Sequence, residues 1–530
     1  MFSHGALSPG SAPGGSVERA PQACRQCSGL KRKCQRELPC CSLCVRLRKT
    51  CDYPTRRKPY GSRTSQTDQS TSSAASISSG SIDAAITPCP FPDAFFIDAD
   101  LFRAVSHSTL RNACPVPSYV SQLLSQDANS VCEPYFSSFD TWFPFISRKG
   151  LKLSIQANVP DEAPGLALLL LCMKLVSTSP EPYHTSAVDS TLYKSAKSYL
   201  NSVEDVSPAV LPVFQSLVLI ASYELGHGIF PAAYLTVGRA ARLGILRGIH
   251  DRRNSTQLTV GPPTWTYSEE ERRTWWATSI LECTINLGPT GFHLAIPEPA
   301  QGTLLPTADT EWFRGEIGPN QALFMTGFSP DSTIGPFSRV CQTSHILGRV
   351  INHRNYRKDS ENWGLILDEA IQLNTTLTAL DSYVSQPMEA LQSDEWVSTI
   401  DVALCTCARL ALYHLYACNE PDVSAPRRAE ESIMQAASIA GIKQIISTRS
   451  PALAQCVLRQ GAENLDRSSP LVVQCLYDAA TECQWFLKEG DVVEGAATTL
   501  RLLMGALNLL AQRWGLAEKC LQLLKQADGQ

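Results

Sequence analysis

Seven of the twenty cysteines in this 530-residue chain lie between Cys24 and Cys51. With Cys41 taken as the fourth of six, they read as one unit, C-x2-C-x6-C, written twice: Cys24, Cys27 and Cys34, then Cys41, Cys44 and Cys51. Cysteines two residues apart can grip one metal ion from a tight turn, and a third further along can close the site from one side. Six thiolates cannot fill two separate tetrahedral zinc sites, which need eight bonds. They suffice if two sulfurs bridge. Two Zn2+ and six thiolates sum to −2, a charge that surrounding Lys and Arg offset while helping to hold the thiolates deprotonated. No histidine lies between His4 and His107, so a mixed Cys/His finger is excluded. Cys40 is a bystander, since a register shifted onto it gives gaps of 5 and 3 in place of 6 and 2.

The cluster is also the basic part of the chain. Residues 21–63 hold twelve Lys/Arg and two Asp/Glu, a net of +10, while the whole chain is −4, which leaves −14 for the remainder. A small basic head on an acidic body suggests a polyanion partner for the head. Lys31, Arg32 and Lys33 fall at the end of a first short helix, and Arg46, Arg48 and Lys49 at the matching place in the second half. A helix end carrying cations can enter a DNA major groove and meet guanine O6 and N7. Other cations there meet phosphates, which position without specifying. Arg56-Arg57-Lys58 can serve nuclear import.

The elements that carry this head divide simply. Residues 1–20 are rich in Ser, Pro and Gly and read as disordered. Residues 21–60 form the cysteine domain. Residues 61–89 are a flexible linker, with twelve Ser or Thr in positions 62–81. From 90 to 530 the chain reads as a large all-α region. Ile366, Ala370, Leu373, Leu377 and Leu380 mark one apolar helix face. Phe214, Leu217, Ala221 and Leu225 mark another, stopped by Gly226-His227-Gly228 and followed by a helix that Pro231 opens. Further helices are expected near 268–287, 395–418, 427–446, 470–487 and 492–525. Leu502, Leu503, Leu507, Leu510 and Trp514 on the last of these read first as core and second as a partner-binding surface. The fold class is therefore mostly α. A hydrophobic content of 44% with 18% charged residues excludes a wholly disordered chain, a collagen and a coiled-coil rod. The amino terminus has no signal-peptide pattern and the longest apolar run, Gly165 to Met173, is too short to span a bilayer. The chain is thus expected to be intracellular and reduced, with no membrane partner. No P-loop, G-x-S-x-G, H-E-x-x-H or D-D-x-x-D occurs in the body, so no enzyme is expected.

The cysteine segment resembles the fungal Zn(II)2Cys6 binuclear cluster transcription factors. The resemblance places the six ligands on Cys24, Cys27, Cys34, Cys41, Cys44 and Cys51, with Cys24 and Cys41 bridging two zinc ions, and the loop proline on Pro39. It matches Lys31 to the principal base-reading lysine, while Ser28 and Leu30 stand where basic residues are common. The body adds to it. Tyr135–Ile146, Ala232–His250, Glu271–Trp276 and Leu287-Gly-Pro289 resemble the fungal middle homology region, best over 110–300. Within these, Trp275 and Trp276 read as core anchors, Arg272 and Arg273 as an ion-paired helix face, and His227 and His250 as structural. The resemblance implies a nuclear, sequence-specific regulator of RNA polymerase II transcription that binds double-stranded DNA at CGG-like triplets. It also implies contact with the transcription machinery or co-regulators and control of fungal metabolic or secondary-metabolite genes. The family's usual coiled coil after the finger is missing, since 62–82 has no apolar heptads. Monomeric recognition or a homodimer through the helical body is expected instead. The alternative function is a zinc-dependent protein-interaction scaffold without sequence-specific DNA binding.

Overall fold

The computed structural model describes residues 19–20, 22–29, 32–46, 50–53, 94–104, 115–124, 129–157, 159, 163–179, 186–204, 210–258, 261–325, 327, 334–357, 362–390, 397–417, 428–490 and 493–528. The chain falls into two compact units, Met1–Ala85 and Ile86–Gln530. The expected linker 61–89 and nearly all of the expected disordered segment 1–20 lie outside the described residues.

In the first unit each cysteine pair opens a one-turn helix, Arg25–Gly29 and Ser42–Arg46. The segment before Cys24 is tied back by Ala20, whose N–H donates to the Arg36 carbonyl at 2.7 Å. The segment after Cys51 is tied by Arg25, whose N–H donates to the Asp52 carbonyl at 2.8 Å. The buried core is Cys24, Cys27, Cys41, Leu43 and Cys44, with Cys34, Cys51 and Tyr53 packed against it. One leucine cannot supply the apolar burial that a domain below about 40 residues lacks, and such domains usually need a metal, disulfides or oligomerisation.

The second unit is built around a central helix that is buried on every side. Leu211–Gly226 is buried at all positions but Pro212. Ala163–Ser177, which contains the longest apolar run of the sequence, packs against it, as do Ala232–Leu246 and Trp265–Ile285. A helix apolar all round has no solvent face and belongs in the interior. Gly228, at φ +61°, ends the central helix, a conformation that glycine adopts without steric cost. Close approach is bought with two more glycines: a Cβ at Gly226 would lie 2.4 Å from the Trp514 ring, and one at Gly244 would lie 2.6 Å from Trp275. The described residues hold no strand beyond two isolated bridges.

Arg273 is fully buried at the join between Trp265–Ile285 and the segment after it. It donates to Glu269 Oε1 and Asp309 Oδ1 at 3.1 Å, to the Pro144 carbonyl at 2.8 Å and to the Thr307 carbonyl at 2.7 Å, with its guanidinium 4.5 Å from the Trp312 ring. The expected pairing of Arg272 and Arg273 is present, both to Glu269, but the expected helix face is interior at Arg273. Trp276 is core and donates from Nε1 to the Leu304 carbonyl at 3.0 Å, whereas Trp275 is only half-buried.

Two expectations change at the carboxyl end. The helix expected over 492–525 is two helices, Ala496–Ala511 and Gly515–Asp528. Leu503, Leu507, Leu510 and Trp514 are buried, and Trp514 Nε1 donates to Ser468 Oγ at 2.9 Å, so these residues are core and not a surface for a partner. Upstream, Ala429–Gln444 runs through a π-helical turn, Ile445–Arg449, into Ser450–Gln460, where the sequence pattern suggests an end near 446.

Candidate metal centre and nucleic-acid interface

The two halves of the repeat place their sulfurs alike. The Cys27 N–H points at Cys24 Sγ at 3.4 Å, and the Cys44 N–H points at Cys41 Sγ at the same 3.4 Å. Each pair thus occupies the first turn of its helix, where N–H groups lack intrahelical acceptors and favour an anionic partner. The third cysteine of the second unit returns to this centre, with Cys51 Sγ 3.3 Å from the Cys41 N–H.

Two sets of four sulfurs result: Cys24, Cys27, Cys34 and Cys41, and Cys24, Cys41, Cys44 and Cys51. Within each set the sulfurs lie within 4.8 Å of one another, and the sets share Cys24 and Cys41. The Sγ–Sγ separations are 3.8 Å for Cys24–Cys41, 3.6 Å for Cys24–Cys44, 3.6 Å for Cys27–Cys41 and 3.9 Å for Cys24–Cys34. A tetrahedron with Zn–S bonds of about 2.3 Å has edges of about 3.8 Å. A disulfide would need about 2.05 Å, and all the described cysteines are free. The donor chemistry and spacing therefore fit zinc. Cys40 is exposed and belongs to neither set. Among the described residues no other group of His, Cys, Asp or Glu is gathered in this way.

Burial disfavours the charged form at three of the thiols. Burial pushes Cys24 and Cys27 up and Cys44 to about 12. Cys34 is drawn down to about 7, because backbone donors at Cys24 and Arg36 outweigh its burial, and Cys51 is drawn down by the Cys41 N–H against the same penalty. A bound cation deprotonates a coordinating thiol outright.

Of the six cations expected to face DNA, Arg32, Lys33 and Arg46 are exposed. Arg46 ends the second helix. Lys31, Arg48 and Lys49 lie outside the described residues. Three contacts escaped the sequence reading. Arg25 pairs with Asp52 at 3.5 Å, Tyr53 donates its hydroxyl to the Glu37 carbonyl at 2.7 Å, and Glu37 Oε2 accepts from the Ser42 N–H at 3.0 Å. The last had a legible signal, an acidic residue just ahead of a helix start.

In the helical unit no described helix is long and apolar enough to cross a membrane.

Comparison with known proteins follows the same division. The fungal Zn(2)-Cys(6) binuclear cluster domain matches residues 22–60, and the fungal specific transcription factor domain matches residues 133–408. Transcription factor BOA15 of Botryotinia fuckeliana is 33% identical over 180 residues, which are 34% of this chain and 98% of that protein. A transcriptional regulatory protein of Schizosaccharomyces pombe is 23% identical over 372 residues, 66% of this chain and 51% of its own length. The azaphilone cluster-specific transcription factor azaR of Aspergillus niger is 28% identical over 321 residues, 56% of this chain and 66% of that protein. The chain thus spans nearly all of the first relative, about half of the second and 66% of the third. No solved structure matches it significantly.

Proposed function

Because the chain belongs to the fungal-specific transcription factor family and carries that family's two-zinc Zn(2)-Cys(6) domain, we propose that it acts in the nucleus. There it reads CGG-like triplets in double-stranded DNA and controls a cluster of biosynthetic genes. It is a DNA-binding transcription factor, and the finer reading concerns its residues, site and targets. Cys24, Cys27, Cys34, Cys41, Cys44 and Cys51 hold the two ions, with Cys24 and Cys41 shared. The observation that carries this is the pair of sulfur tetrads meeting at those two cysteines. When bound, zinc supplies structural cross-links and the charge that keeps buried thiolates ionised. The chain's own residues do the recognition. Lys31 meets a base edge, while Arg32, Lys33, Arg46, Arg48 and Lys49 hold the finger to phosphates and set its register on the duplex. The acidic helical body repels DNA and leaves contact to the head. The name of the Aspergillus relative supports a biosynthetic cluster as target, and contact with co-regulators falls to the body.

Metal analysis with DNA binding tests this. The full chain should carry two zinc ions, Cys41→Ser should lose both, and Cys40→Ser should keep both. Binding to a CGG-containing duplex should weaken steeply with salt, as counterion release requires. One zinc per loaded chain would reject the shared-sulfur assignment. Salt-independent or absent DNA binding by the zinc-loaded chain would favour a protein-interaction scaffold.

A further inference from the structure

The helix Ala232–Leu246 contains two glycines that behave differently. At Gly244 the Trp275 ring leaves no room for a Cβ. At Gly238 a Cβ would meet nothing within 4 Å, and the backbone is ordinary helix. Glycine in a helix interior costs about 1 kcal/mol relative to alanine, and no protein atom fills the space that it leaves.

That space is a cavity of about 850 Å³ in the helical body, within the range that takes drug-sized ligands. Its walls are mainly apolar, with Phe95, Tyr234, Leu243 and Leu246 among them. Phe95 stacks edge-on against Phe96 and Phe102 at 5.0 and 5.2 Å and forms a rim. Glu204 and Arg239, paired with each other, also line it, as do Arg242, Ser255 and Thr256, and two further polar groups carry buried atoms without partners. Glu282 is 1% exposed; its Oε1 accepts from the Ala295 N–H at 2.7 Å, while its buried Oε2 has no partner. His250 Nδ1 is buried and equally unpartnered. Buried polar atoms without partners are costly, and such pairs in native proteins call for a reason. Burial also raises the Glu282 carboxyl and lowers His250, so both resist charging.

We propose that this cavity binds a largely apolar ring compound bearing hydroxyl groups, with Gly238 giving its rings room and Glu282 and His250 taking its hydroxyls. A hydroxyl both donates and accepts, which satisfies either protonation state of the carboxyl and either tautomer of the imidazole. A hydrocarbon would leave both orphans unmet. The site goes beyond DNA recognition and does not depend on it.

The test uses the full zinc-loaded chain with 2-naphthol as probe and naphthalene as its hydroxyl-free control, read by fluorescence titration and by thermal shift. Saturable binding of 2-naphthol, tighter than naphthalene, is expected. Gly238→Leu should fill the space and weaken 2-naphthol by about tenfold, near 1.4 kcal/mol, without lowering the melting temperature of the free chain. Glu282→Gln, which keeps the acceptor for Ala295, should shrink the preference for 2-naphthol over naphthalene and leave naphthalene binding unchanged. The proposal is overturned by absence of saturable binding, by equal affinity of the two probes for the parent chain, or by undiminished binding to Gly238→Leu.

Discussion

The cysteine unit and the helical unit solve the same problem with different materials. The first has one buried leucine and five buried or half-buried sulfurs around Cys24, so its interior is assembled from metal ligands. The second buries whole helices, such as Leu211–Gly226, and adds buried ion pairs that fix loops, as at Arg273, or join helices, as between Arg409 and Asp381. One unit is stable only as far as its thiolates are held together. The other is held by the entropy-driven burial of apolar surface and has no such single dependence.

The largest expected effect separates them outright. Removing zinc from the full chain with a strong chelator should unfold the cysteine unit, since apparent zinc-binding energies of about 10–16 kcal/mol are folding energy in domains of this kind. The helical circular dichroism and the main melting transition should persist. A joint collapse of both units would break the comparison. Next in size is Arg273→Ala, which leaves Glu269 and Asp309 buried without their shared cation and should cost the body about 3–5 kcal/mol. Denaturant unfolding would measure it, and zinc content should stay at the parent value. A smaller effect falls on recognition alone. Lys31→Ala should cost specific DNA binding about 1–3 kcal/mol and blur the preferred triplet, while Arg46→Ala should weaken all sequences equally. Binding-site selection with each variant decides this, and an unchanged preference for Lys31→Ala would move base reading to another residue.

The last effect is a slope in pH. His227 is buried against Tyr223 and Trp514, and burial, with Arg513 and Lys519 nearby, holds its pKa down to about 3 from 6.5. The unfolded chain takes up a proton at 6.5 that the folded body refuses, so stability is full above that value and is lost as pH falls toward 3. Urea midpoints of His227→Gln between pH 7 and 4 should fall less steeply than those of the parent chain. Parallel slopes would remove His227 from the acid response.

What the sequence made legible follows the range of the interactions. The cysteine repeat was readable because its ligands are set by spacings of two and six, and the helix around Leu373 because its apolar positions recur every turn. The interior role of Arg273 was not, because its partner Asp309 is 36 residues away and its carbonyl acceptor Pro144 is 129 residues away. The helix Pro336–Tyr356 was missed for another reason. Its buried face includes Ser338, Gln342, Thr343 and Ser344, which read as surface until Thr343 is seen returning its hydroxyl to the Arg339 carbonyl at 2.9 Å. The break at Gln512–Trp514 was hidden because the apolar spacing continues through it. The cavity beside Gly238 had no signal at all, since an absent side chain looks the same whether packing or empty space demands it.

The π-helical turn at Ile445–Arg449 carries a consequence for how this body tolerates change in length. Each residue advances an α-helix by about 100°, and a π-turn accommodates one extra residue locally, so the helices on either side keep their facing. Met434 and Ile442 before the turn and Leu453 and Val457 after it are all buried. Deleting one residue from 445–449 would remove that extra residue and restore a regular α-helix with both faces kept, whereas deleting one from the α-helical turns on either side would rotate one side against the other by about that angle and bring charged positions such as Arg459 toward the core. The chain has the form of a continuous helix that took in an insertion and confined it to a single turn, leaving the packed faces on both sides in place.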